Sequence, residues 1–320
     1  MIDGFFWFFV LAASLAVLIK SAEFFLEAAE RIGVFLGIPP FIIGVTIVAA
    51  GTSLPELAAS IVAVLSGSPE MVAGNVIGSN IANILLVLGV AAILNKQLRI
   101  EWDIVKVDLP LLAASAVLLY LTVMDGVFDF GEALFCIFGF LVYLGYTVSM
   151  KSTAPPGEKD GEIAEVMGME KGISLKDPLI MILAIVGLYL GANYTVVSVV
   201  EISTLLGITT SVIAASVVAF GTSLPELTVS FTAVMKKKPE IAIANVLGSN
   251  IFNTFAVMGV AGLFGSLVVD SAMLSLGIPV MLGATLLYFF STQDKEVSKW
   301  EGWIFVSLYL FFIAKLFGFI

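Results

Sequence analysis

The sequence predicts an all-α membrane protein, with ten transmembrane helices in two inverted five-helix repeats and breaks in helices two and seven. Three observations predict it: a strongly apolar composition, basic residues confined to alternate loops, and a motif that occurs twice. Of the 320 residues, 60% are hydrophobic and 12% charged, against roughly 45–50% apolar and about 25% charged in a soluble domain. Ten apolar windows approach the roughly 20 residues that a span requires. They run over 4–28, 40–65, 71–94, 104–123, 129–149, 177–198, 210–235, 240–264, 269–291 and 300–319.

The first window, within Met1–Ala28, is too long and too continuously apolar for a cleaved signal and lacks a basic leader. The segment Ile32–Phe41 carries Pro39–Pro40 and reads as a turn into the second window. Tyr194–Gly207 either extends the sixth span or forms a separate short piece.

Basic residues follow the odd spans: Arg31; Lys96, Arg99 and Lys106; Lys151, Lys159, Lys171 and Lys176; Lys236, Lys237 and Lys238; Lys295 and Lys299. The loops after spans two, four, six and eight contain none and carry Glu70, Asp125, Glu201 and Asp270. Lys20 and Lys315 lie near span ends, where they can snorkel. Cytoplasmic loops hold the positive charge, so both termini are expected outside the cell membrane and the central loop inside.

The stretch 151–175 is rich in Pro, Gly and mixed charge and reads as a solvated linker. It divides a first repeat, 1–150, from a second, 176–320. Its acids Glu158, Asp160 and Glu162 do not have EF-hand spacing.

Composition also excludes classes. The formal charge is −10 and there is no histidine, which removes a nucleic-acid footprint and the commonest proton shuttle and zinc ligand. The single Cys136 lies in an apolar run and reads as packing. Beyond the bilayer and the transported ions, no partner protein and no cofactor is expected.

The repeat is explicit. GTSLPEL occupies Gly51–Leu57 and again Gly221–Leu227, while GNVIGSNIAN at Gly74–Asn83 matches ANVLGSNIFN at Ala244–Asn253. The offset is common to both blocks: 226 − 56 = 170 and 253 − 83 = 170. Five spans per unit is odd, so the second copy enters the membrane from the opposite side. Inverted repeats place a site at the midplane between the copies, where helices are interrupted.

Pro55 and Pro225 sit inside spans two and seven. Each removes a donor and obstructs the carbonyl four residues earlier, at Gly51 and Gly221, so the helix is expected to unwind there. Irregular backbone at that depth lines protein or a watery cavity. Glu56 and Glu226 lie beside the breaks. A charge at mid-span costs about 2.5–3.5 kcal/mol on insertion scales. Two converging carboxylates are best reconciled by a divalent cation in an all-oxygen site, as Ca²⁺ prefers. The competing local explanation is a capping box, Ser53-x-x-Glu56 and Ser223-x-x-Glu226.

Ser79 and Asn83, and likewise Ser249 and Asn253, are four residues apart and share one helix face, which makes them candidate site-lining residues. Asn75, Asn80, Asn245 and Asn250 face elsewhere and read as structural, and Gly74, Gly78 and Gly248 as helix-packing positions. Glu23, Glu27 and Glu30 form a stripe beside Lys20 and Arg31, read as a paired interfacial face. Asp108, Glu132 and Glu301 lie near span ends.

The duplicated GTSLPE with GNVIGSN and ANVLGSN resembles the two α-repeats of the sodium/calcium exchangers, of the cation/Ca²⁺ antiporter superfamily. The likeness covers both repeat cores, and ten spans with a central break match the prokaryotic members. The resemblance implies alternating-access exchange, typically of three Na⁺ for one Ca²⁺, by rocking of spans one and six across the core. It implies Glu56 and Glu226 as shared carboxylates, and Thr52, Thr222, Ser53, Ser223 and the carbonyls of Ala49 and Ala219 as ligands or near neighbours. Ser79, Ser249, Asn83 and Asn253 complete the set. Relatives that depend on K⁺ have aspartate at the position of Asn253, and proton-coupled ones carry glutamate in the span-three and span-eight motifs. Asparagine and the stretches GNVIGS and ANVLGS therefore point to Na⁺. The alternatives are an H⁺- or K⁺-coupled antiporter and a Ca²⁺-permeable channel. A hydrolase has little basis, since Ser53 and Ser223 have no histidine base.

Overall fold

A chain this apolar must satisfy its backbone donors and acceptors internally, and helices do so within one segment. The computed structural model describes residues 2–35, 49–95, 97–99, 108–151, 176–235, 239–293 and 295–320, and within them it is almost entirely helical. Among the described residues, seven helices are long and apolar enough to cross a membrane: Phe5–Phe25, Glu70–Asn95, Phe130–Thr147, Asp177–Leu206, Thr210–Met235, Ile241–Phe264 and Met273–Ser291. Shorter apolar helices occupy Leu54–Leu65 and Asp108–Val123, and Lys299–Leu316 forms the last helix. Residues 152–175 of the 151–175 linker and the Pro39–Pro40 turn lie outside the described residues, and Lys151 ends the helix Phe130–Lys151.

Two boundaries differ from the sequence reading. The first helix extends over Ile2–Phe35. The sixth runs without interruption from Asp177 to Leu206 and stops at Gly207, whose φ of 66° is left-handed. Tyr194–Gly207 is thus an extension, ended by the residue that adopts that conformation without strain.

These two helices pack antiparallel. Ser14 Oγ meets Thr195 Oγ1 at 2.9 Å, Gly191 faces the backbone of Leu18, Gly187 faces Ser21, and Arg31 Nε donates to Asp177 Oδ1 at 2.8 Å. Partner numbers fall as residue numbers rise, which defines the direction. The two glycines let the backbones approach. Asp177 is buried, whereas the Lys20–Glu23 pair at 2.5 Å is exposed. Arg31→Met strips a buried carboxylate of the guanidinium and is expected to lower the thermal unfolding temperature in detergent by several degrees. Lys20→Met, which breaks only a solvated pair, is expected to leave that temperature nearly unchanged.

Two short ribbons carry the internal symmetry. Strand β1 (Gln97–Arg99) pairs antiparallel with β4 (Glu296–Ser298), placing Gln97 opposite Ser298. Strand β2 (Val127–Phe128) pairs with β3 (Leu267–Val268), placing Phe128 opposite Leu267. With the sequence offset, 97 + 170 = 267 and 128 + 170 = 298. One ribbon is therefore the other with the halves exchanged, as a two-fold relation between halves requires.

The core centres on the Glu70–Ile81 helix, buried from Met71 onward. An added Cβ at Gly74 or Gly78 would collide with the backbone of Ser211 and Ala215 respectively, so glycine is what lets the two helices touch. Cys136 is buried, as expected of a packing residue. Glu301 belongs to a capping box with Ser298, a local helix-end role.

Candidate functional site

The two signature motifs meet at the centre of the protein. The Ala49–Thr52 helix ends at Ser53 and restarts as Leu54–Leu65. In the second half Ala219–Thr222 ends at Ser223 and restarts as Leu224–Met235. The interruption is one residue long: Ser53 has φ −94° and ψ 10°, and Ser223 φ −81° and ψ 4°. Unwinding was expected at Gly51 and Gly221, and it occurs instead at the serines. Each proline then occupies the second position of the restarted helix, where its missing N–H is no loss. Backbone bonding resumes at once, with Leu57 N donating to Ser53 O at 3.1 Å and Leu227 N to Ser223 O at 3.0 Å.

The capping-box explanation is not realised. Ser53 makes no side-chain cap; its hydroxyl donates across the halves to Glu226 Oε1 at 3.2 Å. Ser223 Oγ has no hydrogen-bond partner among the described residues. Glu56 and Glu226 are both completely buried. Ser79 Oγ donates to Glu56 Oε1 at 3.5 Å, and the Thr52 and Ser249 hydroxyls approach to 3.3 Å. Among the described residues, Glu56 Oε2 and Glu226 Oε2 have no hydrogen-bond partner. Among the described residues neither carboxylate pairs with a lysine or arginine.

Asn83 and Asn253 are fully buried. Both amide atoms of Asn253 and Oδ1 of Asn83 lack partners among the described residues. Thr222 donates to its own helix, at Val218 O, 3.1 Å away. The Ala219 carbonyl accepts from Ser223 N at 3.0 Å and from the Thr222 hydroxyl at 3.5 Å. Of Ala49, the structure describes its position in the helix that leads to the break.

The structure therefore brings Thr52, Ser53, Glu56 and Ser79 together with Glu226 and Ser249. The donor set is oxygen only, which suits hard cations. Orphaned buried carboxylate oxygens are destabilising unless something satisfies them, and a cation does so.

Several features escaped the sequence reading. Asn83 lies in a π-helical stretch, Ala82–Leu88, and Asn253 opens another, Asn253–Val257. A third, Ala214–Val218, leads into Ala219. Such bulges re-aim side chains and cluster at functional sites, yet no residue pattern announces them. Asn245 Nδ2 donates to the Glu226 carbonyl and to Ser230 Oγ, each at 3.1 Å, which ties the second break to its neighbouring helix. Glu23 pairs with Lys20 and Glu27 with Arg31, as expected of an interfacial face. Glu23 also borders a crevice of about 110 Å³ that reaches Gly51, Thr52, Pro225 and Thr228. Gly221 faces Leu15, whose Cδ1 lies 2.7 Å from where a Cβ would stand.

Comparison with known proteins adds an independent line. The family model described as sodium/calcium exchanger protein matches residues 6–149 and 176–318. The sodium/calcium exchanger MaX1 of Methanosarcina acetivorans is 33% identical over 97% of this chain and 98% of its own. The putative antiporter CaxA of Alkalimonas amylolytica is 33% identical over 95% and 96%. Among solved structures, the sodium-calcium exchanger NCX_Mj soaked with Na⁺ and Sr²⁺ is 29% identical, with a TM-score of 0.65 and 98% of each chain covered.

Proposed function

The chain belongs to the sodium/calcium exchanger family, a family of multi-pass membrane antiporters, and from that premise we propose that it exchanges Na⁺ for Ca²⁺ by alternating access at Glu56 and Glu226. The observation that carries the proposal is the pair of fully buried glutamates at equivalent helix breaks, each with one oxygen that has no partner among the described residues. Thr52, Ser53, Ser79, Asn83 and their counterparts Thr222, Ser223, Ser249 and Asn253 supply neutral oxygens around them, with the Ala49 and Ala219 carbonyls at the breaks. Na⁺ and Ca²⁺ compete for the same carboxylates, and a stoichiometry of about three Na⁺ per Ca²⁺ follows the family. Asn253, an amide, leaves two carboxylates in the site and favours Na⁺ coupling without K⁺.

The proposed layout is ten spans in two inverted repeats, with both termini outside and the linker in the cytoplasm. Three features support the inversion: the common offset, the antiparallel packing of Ile2–Phe35 against Asp177–Leu206, and the exchanged ribbons.

The test is uptake of radiolabelled Ca²⁺ into proteoliposomes with ion substitution. Uptake is expected to require internal Na⁺ and to fail with K⁺ in its place or with a pH gradient alone. Uptake driven by a pH gradient without Na⁺ would assign proton coupling. Steady Ca²⁺ current with no counter-ion gradient would assign a channel.

A further inference from the structure

An asparagine can serve a cation only through its oxygen, and its terminal torsion is broad enough to present either the oxygen or the NH₂. Something outside the side chain must choose. Asn83 Nδ2 donates to Asn250 Oδ1 at 3.3 Å, across the two halves. That bond turns the donor of Asn83 toward Asn250 and leaves its Oδ1 unpartnered. Asn83 shares its helix face with Ser79, which bonds Glu56. Asn250 is itself 2% exposed.

The two-fold relation gives the second pair, because 80 + 170 = 250 and 83 + 170 = 253. Asn80 is to Asn253 what Asn250 is to Asn83. Asn80 Nδ2 is held by Thr254 Oγ1 at 3.1 Å and lies 3.9 Å from Met281 Sδ. With its donor engaged, Asn80 keeps Oδ1 unpartnered as an acceptor. Thr254 has no counterpart, since 84 + 170 = 254 and position 84 is Ile84. One clasp is made and the other is open: Asn253 has neither amide atom bonded.

We propose that Asn250 is a positioning residue that sets which amide atom Asn83 offers to the cation. The proposal rests on the reading of Glu56 and Glu226 as the transport site. It assigns a role in cation affinity to a residue that spacing alone marks as packing.

A double-mutant cycle in proteoliposomes tests it, read as the Ca²⁺ concentration for half-maximal uptake. Asn250→Leu, similar in size but without an acceptor, is expected to raise that concentration about tenfold or more, as loss of an outer partner of a metal ligand does. Maximal rate is expected to stay within about twofold. In an Asn83→Ala background, with no amide left to orient, Asn250→Leu is expected to change the half-maximal concentration by less than about twofold. Equal shifts in both backgrounds would reduce Asn250 to packing and overturn the proposal. If Asn250→Leu does not fold, Asn250→Ala runs the same cycle. Asn83→Ala alone separates the two levels. A shift there with none from the Asn250 variants overturns this inference and leaves the site intact. No shift from Asn83→Ala removes Asn83 as a ligand, and the inference with it.

Discussion

Glu56→Gln and Glu226→Gln are each expected to abolish Na⁺-driven Ca²⁺ uptake while leaving the protein folded. Glutamine keeps the volume and one oxygen but removes the charge. Both side chains are wholly enclosed, so the lost charge cannot be replaced by solvent. Losing one of two carboxylates removes half of the formal negative charge facing the ion. Folding should not suffer. A buried unpaired carboxylate is itself destabilising, and an amide at mid-span relieves part of the roughly 2.5–3.5 kcal/mol that insertion scales assign to it. The pair of measurements is Ca²⁺ uptake and thermal unfolding in detergent. The unmodified protein should gain stability as Ca²⁺ is added, because a ligand that binds only the folded state stabilises it by mass action. Both variants should lose that dependence and keep or exceed the Ca²⁺-free unfolding temperature. Near-normal uptake in both variants would falsify the shared-site reading.

Gly78→Val is expected to have the largest effect on folding. A Cβ at this position would lie inside the Ala215 backbone, and backbone cannot rotate away as a side chain can. The helix Glu70–Ile81, which carries Ser79, would have to move off the Ala214–Val218 stretch. Overpacking of this kind costs about 1–3 kcal/mol and occasionally more. The substitution falls at the upper end because main chain meets main chain. Size-exclusion profile and unfolding temperature would show it, with Gly145→Ala as the contrast, since nothing lies within 4 Å of a Cβ there. A Gly78→Val protein as stable as Gly145→Ala would show that the close approach is unnecessary.

Much of the fold was legible because lipid imposes few solutions. The apolar windows in 71–94, 177–198 and 210–235 became helices, and the offset of 170 reappears in the ribbon pairing. Where prediction slipped, local sequence was ambiguous. Tyr194–Gly207 reads equally as extension or separate piece until tertiary packing and Gly207 decide it. The breaks were placed at Gly51 and Gly221 because a proline weakens the carbonyl four residues back. A proline that starts a new helix moves the break to the serine instead.

The site divides the same way. Repetition singled out the carboxylates, since a charged residue at mid-span placed twice at one offset is too unfavourable to be incidental. Helical spacing identified Ser79 with Asn83 as one face. Neither cue could show that Ser53 reaches Glu226 rather than capping its own helix, because that bond spans 173 residues. Nor could spacing distinguish Asn250 from a packing residue, since its partner Asn83 lies 167 residues away. Periodicity reports which side of a helix a residue occupies. What that side faces, and which atom of an amide points there, depends on how the two halves close against each other, and only the tertiary structure decides it.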